Sequence, residues 1–235
     1  RFFGAGDEKN LQRAVHTTVA FGLVAGVLMT GVGVALSPQI LRWMDTPESV
    51  MRESVTYLQI YFAGSLGFVM YNVLVGILQA VGDSRHPLYY LIVSSVINLV
   101  LDLLFITGFH TGVGGAAVAT VISQIVSALL CFWQLLRTKE SYGLKIRKIR
   151  FDKGILVQII KIGLPSGVQN SIIAFANVIV QSNINAFGEM AMAGYGAYTK
   201  VEGFGFLPIN SFTMALTTFV GQNLGAKQEE RTKKG

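Results

Sequence analysis

Apolar residues run through this chain in six long blocks separated by short polar stretches. The first spans about 14–38 and is expected to stop near Pro38. The second runs about 54–80, from Ser54 to the turn VGDSRHP. The third starts at about Pro87, a residue suited to a first helical turn, and ends near Phe109. The fourth runs about 114–137 and begins GVGGAAVAT. The fifth, about 154–186, contains GLP at 163–165, and the sixth, about 192–222, contains Pro208. A helix needs about 20 apolar residues to cross a hydrocarbon layer of about 30 Å, and every block is long enough. The last two are long enough to predict tilt or kinks, with Pro165 and Pro208 each freeing one backbone carbonyl. Such a pattern predicts an all-α membrane protein, a polytopic helical bundle with six transmembrane helices.

Composition agrees. Of 235 residues, 51% are hydrophobic and 14% charged, against about 25% charged in a soluble domain. The 26 glycines suit packed membrane helices, where they let backbones approach. Cys131, the single cysteine, lies in an apolar block and reads as a small packing residue. The net charge of +6 raises the question of a nucleic-acid partner, but the basic residues fall between the blocks with no aromatic-basic platform. Their distribution has a topological meaning instead. Basic residues crowd the stretches 1–13, 81–86, 137–153 and 223–235, the third carrying Arg137, Lys139, Lys145, Arg147, Lys148, Arg150 and Lys153. The loop 39–53 on the other side has only Arg42 and Arg52. By the positive-inside rule both ends are expected to be cytoplasmic, with membrane lipid as the surrounding partner. The chain begins at Arg1 rather than Met and shows no signal peptide, so it reads as a segment of a longer protein.

An internal repeat is visible. RFFGAGDEK at 1–9 resembles QNLGAKQEE at 222–230, with Phe3-Gly4-Ala5 against Leu224-Gly225-Ala226. Six spans separate the copies, so both face the same side, as parallel repeats do. This predicts about one period of a two-repeat protein, a common transporter plan.

Asp102 stands out chemically. It lies in an apolar run with no basic partner, and a carboxylate at mid-membrane costs about 2.5–3.5 kcal/mol on insertion scales. Asn98 is one turn earlier on the same face, and Ser94 extends the stripe. The fourth block returns antiparallel after a short loop, which brings Thr120 to nearly the depth of Asp102, about 10 Å below the outer ends. Carboxylate, amide and hydroxyl oxygens suit a proton or a hard cation such as Na⁺. On the fifth block, Asn170, Asn177 and Gln181 share a face, with Gln169 beside it. Uncharged amides of this kind either line a substrate cavity or bond neighbouring helices. Lys200 and Glu202, two apart on the sixth block, line the outer part of a cavity or pair elsewhere. In the loop 78–87, Gly82 and Asp83 read as a tight turn and a helix cap. His16, His86 and His110 have no metal-ligand spacing, and no catalytic triad or phosphate-binding loop appears. The expectation is therefore not an enzyme.

At this level the chain resembles the multidrug and toxic compound extrusion (MATE) family over essentially its whole length. The resemblance rests on FGAGDEKNLQRAV at 3–15, LQAVGDSRHPL at 78–88, INLVLDLLFI at 97–106, GVGGAAVATVISQ at 112–124, IGLPSGVQN at 162–170 and FVGQNLGA at 219–226. It implies twelve transmembrane helices in two six-helix lobes. Residues 1–137 would be part of the N-lobe, 138–153 a basic cytoplasmic linker and 154–235 the start of the C-lobe, with the remaining helices supplied by the rest of a full-length chain. It implies a secondary-active antiporter in the plasma membrane that exports small cationic or amphipathic organic compounds, with H⁺ or Na⁺ as coupling ion and no other cofactor. Asn98, Asp102 and Thr120 match residues of the family's N-lobe cation site. The fifth block has no acid between Gly154 and Ala186, which favours an N-lobe site as in DinF-like members. The alternatives are a lipid-linked oligosaccharide flippase of a related superfamily, an uncoupled channel and a structural membrane protein.

Overall fold

A computed structural model describes residues 1–44, 46, 48–185 and 187–234, with the side chains of Asn185 and Glu189 also outside the description. The expected end of the fifth block at Ala186 lies outside the described residues. Eight α-helices follow in order: α1 (Glu8–Trp43), α2 (Glu48–Ala63), α3 (Ser65–Ala80), α4 (Arg85–Leu103), α5 (Gly112–Arg137), α6 (Lys153–Asn185), α7 (Glu189–Gly225) and α8 (Glu229–Lys234). A π-helical turn, Leu104–Gly108, extends α4, and a 3₁₀ turn, Ile146–Lys148, interrupts the linker. Five helical segments are long and apolar enough to cross a membrane, and the bent pair α2–α3 makes a sixth. The chain is a polytopic helical membrane protein.

Two boundaries differ from the sequence expectation, each for a physical reason. The first helix does not stop near Pro38 but continues to Trp43. Proline at 38 removes the N–H that would bond the Val34 carbonyl. The Gln59 side chain donates Nε2–H to that carbonyl from α2, at 3.5 Å, so the freed acceptor is met and the helix carries on. The second span is not one helix from 54 to 80. It begins at Glu48, in a polar first turn that an apolar pattern passes over, and bends by 42° at the Gly64-Ser65 step. A Cβ on Gly64 would strike Val121 of α5, so the bend sits where two helices meet backbone to side chain. The six-residue α8 was not expected at all.

The chain splits into two compact units. One is Asp7–Asp152; the other is Lys153–Gly235 together with Arg1–Gly6. In the first, α1 packs antiparallel on α3, with Gly22 against Val73 and Gly26 against Leu66. Helix α5 packs on α2, α3 and α4. Val19, Leu74, Leu78, Cys131 and Leu135 are fully buried there, so Cys131 is a packing residue as expected. The Tyr90 hydroxyl of α4 donates to Gln134 Oε1 of α5 at 3.3 Å and sets their antiparallel register. In the turn before α4, Gly82 has φ +92° and Asp83 accepts the His86 N–H at 3.2 Å, the turn and cap expected.

In the second unit, α6 and α7 expose apolar side chains along almost their whole length, Phe175, Phe204 and Phe212 among them. The repeat reappears here as backbone geometry. Ala5 N–H bonds the Arg1 carbonyl at 3.0 Å, and Ala226 N–H bonds the Gln222 carbonyl at 2.9 Å. Gly6 N–H bonds Phe3 and Lys227 N–H bonds Leu224 in the same way. Gly6 and Lys227 both take left-handed conformations, φ +64° and +58°. Helix α1 then begins at Glu8 and α8 at Glu229, the same offset of 221 residues. The two copies also touch. A Cβ on Gly4 would collide with the Gln222 carbonyl oxygen, and one on Gly225 with the Arg1 carbonyl oxygen, a pair of contacts that exchange under the repeat.

Candidate cation site and polar linker

Asp102 lies in the last turn of regular α4, with the π-helical turn beginning two residues later. Turns of this type widen a helix by one residue and recur at functional sites. The carboxyl is half-buried, and its Oδ1 is shielded from solvent without a hydrogen-bond partner. Asn98, one turn earlier, has its Nδ2 in the same condition. Such orphaned atoms are uncommon in folded proteins, because each forgoes its hydration for nothing in return. Thr120 does not relieve them: its hydroxyl donates to the Ala116 carbonyl of its own helix at 3.0 Å. Counting from the Tyr90–Gln134 bond, twelve residues down each helix, Asp102 of α4 falls level with Ile122 of α5. Thr120 is two residues away, about 3 Å along the axis. The register thus sets Asp102 and Thr120 at nearly one depth, with Asn98 one turn, about 6 Å, along α4, and among the described residues no hydrogen bond joins the three. Ser94 is buried and donates to the Leu91 carbonyl.

The other candidates are spread along the second unit. Gln169, Asn170 and Asn177 are exposed on α6, and Gln181 is half-buried with a polar partner. Gln169 shares a shallow groove with Pro165, Val168 and Ile172. On α7, Lys200 is exposed, while Glu202 accepts the Tyr198 hydroxyl at 2.9 Å, one turn away.

Sequence reasoning missed a second polar cluster. The linker after α5 does not hang free but is pinned along one face of α1. Gln12 Nε2 donates to the Ser141 and Gly143 carbonyls, at 2.5 and 3.2 Å. One turn on, the buried His16 lies with Nδ1 2.6 Å from the Gln12 carbonyl and Nε2 accepting the Lys145 N–H at 3.0 Å. The Thr17 hydroxyl accepts the Asp152 N–H at 3.1 Å and donates to the Arg150 carbonyl at 3.4 Å. Arg13 pairs with Asp152 at 3.2 Å. The i, i+4 spacing of Gln12 and His16, and of Arg13 and Thr17, is the only signal of this face in the sequence.

A bundle of membrane-length helices with repeat-related termini and a stranded acid in an apolar helix defines a class, the polytopic α-helical membrane proteins with an internal repeat. A family model described as MatE matches residues 1–104 and 165–234. The probable multidrug resistance protein YoeA of Bacillus subtilis is 32% identical over 98% of this chain and 51% of its own length. The probable multidrug resistance protein NorM of Thermotoga maritima is 27% identical, covering 97% and 50%. Among solved structures, a MATE protein in the bent conformation matches with a TM-score of 0.88 at 26% identity, over 98% of this chain and 52% of that one. The chain belongs to the MATE family. It spans about half the length of the curated relatives it matches.

Proposed function

We propose that this chain supplies the cation-coupling half of a secondary-active antiporter that exports small organic cations or amphipaths across the plasma membrane in exchange for H⁺ or Na⁺. The observation that carries this reading is the orphaned pair, Asp102 Oδ1 and Asn98 Nδ2, beside the π-helical turn. A carboxylate without a partner in an apolar helix is stable only when protonated or bound to a cation. Thr120, near the depth of Asp102, would add a hydroxyl oxygen to the carboxylate and the Asn98 amide oxygen. Occupancy of this site biases the two access states of the whole transporter, because only one of them offers the ion a desolvated pocket. The names of the relatives, among them a multidrug export protein, support a drug-like substrate. Asn170, Asn177 and Gln181, with Gln169, Lys200 and Glu202, are the residues we assign to the substrate path. The loop charges support both described ends facing the cytoplasm.

The test is counterflow of a fluorescent organic cation in liposomes containing the full-length protein, with pH and Na⁺ gradients imposed separately. One gradient drives efflux in the wild type, and Asp102→Asn abolishes the response to it. Unchanged gradient-driven efflux in Asp102→Asn removes Asp102 from the coupling role.

A further inference from the structure

The pinned linker and the start of α1 border an open-mouthed cavity of about 450 Å³ within the Asp7–Asp152 unit. Its walls carry Lys9 and Arg13 from α1, and Arg147, Lys148, Arg150 and Asp152 from the linker. Arg13 is neutralised by Asp152. Lys9, Arg147, Lys148 and Arg150 form no ion pair among the described residues. Like charges gathered around one cavity repel one another, and here Gln12, His16 and Thr17 hold the linker backbone in place against that repulsion. An arrangement of this kind is stabilised by an anion.

The chemistry selects the anion. Guanidinium groups present paired donors that match phosphate oxygens, and lysine adds a mobile point charge. The volume falls in the ligand range of about 300–1,000 Å³, so it takes a phosphate together with an organic substituent. Apolar side chains adjoin the cations in sequence: Ile146 and Phe151 are 59% and 47% exposed. At the same end of α5, the Arg137 guanidinium lies 4.4 Å over the Trp133 ring, an aromatic–cation pair suited to the membrane interface. We infer that this cavity binds a phosphate ester, and that its source is the headgroup of an anionic phospholipid at the membrane surface, with Ile146 and Phe151 reaching the acyl boundary. The linker is then anchored by lipid as well as by α1.

The experiment uses the full-length protein in detergent. Retention of phosphatidylglycerol against phosphatidylcholine is measured by native mass spectrometry, and binding of inorganic pyrophosphate by calorimetry. The variant is R147Q/K148Q/R150Q, and a charge-matched control is K227Q/K233Q/K234Q. Each cation that lines the cavity is expected to contribute about fivefold to headgroup retention, so the linker variant should lose on the order of a hundredfold, while the control, whose lysines lie outside the cavity, stays within a few fold. Loss confined to the lipid arm assigns a headgroup, and loss in both arms overturns the lipid source in favour of phosphoryl anions at large, free ones included. Equal retention by wild type and linker variant, or equal loss in the control, overturns the site. Melting temperatures in zwitterionic detergent show whether the linker variant is folded.

Discussion

The backbone N–H of Lys145 donates to Nε2 of the buried His16 across 129 residues of chain. The imidazole is therefore a bracket between α1 and the linker. His16→Phe keeps an aromatic ring and removes the acceptor. Losing one such hydrogen bond costs about 1 kcal/mol, so amide exchange at Lys145 should quicken by about fivefold. Hydrogen exchange on the full-length protein checks this, and an unchanged Lys145 amide would mean that other contacts hold the linker.

Asp102 poses a trade between stability and work. Its Oδ1 is buried without a partner. Replacement by leucine should raise the unfolding free energy in detergent by about 1–3 kcal/mol, because the stranded polar atom is gone. The same variant should lose gradient-driven efflux. A residue kept only for packing would instead lower the melting temperature on substitution.

Gly4 and Gly225 should be equally intolerant of a side chain. Each faces a carbonyl oxygen of the other repeat copy, where a methyl group has no space. Gly4→Ala and Gly225→Ala are each expected to cost about 1–3 kcal/mol, measured by thermal unfolding. A silent Gly4→Ala would show that the two strands of chain do not cross this closely.

The cap of α1 titrates. The Asn10 backbone N–H and then the Asn10 amide donate to the Asp7 carboxylate, which holds its pKa below the model-peptide value of 3.8. The charged form is the one the folded cap favours. Its contribution is therefore full above pH 3.8 and is lost as pH falls through the lower folded value. Exchange protection of the Asn10 amide should follow that curve in the wild type and become flat in Asp7→Ala.

Much of this architecture is legible from periodicity and charge. Six apolar blocks predict six crossings, and the isolated Asp102 is visible because nothing basic accompanies it. Features that depend on distant partners leave no such trace. Pro38 reads as a stop unless Gln59 is known to reach the Val34 carbonyl. The linker reads as a loose basic loop because its bonds to Gln12, His16 and Thr17 join residues more than a hundred positions apart. The π-helical turn after Asp102 has no compositional mark, since Leu104–Gly108 continues an apolar run that suits any helix.

Gly6 and Lys227 hold matching left-handed conformations, yet one is a glycine and the other carries a long charged side chain. The second copy keeps the turn although its residue resists that backbone by about 1–2 kcal/mol. The two copies therefore share the path of the chain more closely than they share residues. Their likeness is one of form, a pair of hydrogen bonds and a change of direction, where spelling retains little beyond Gly-Ala.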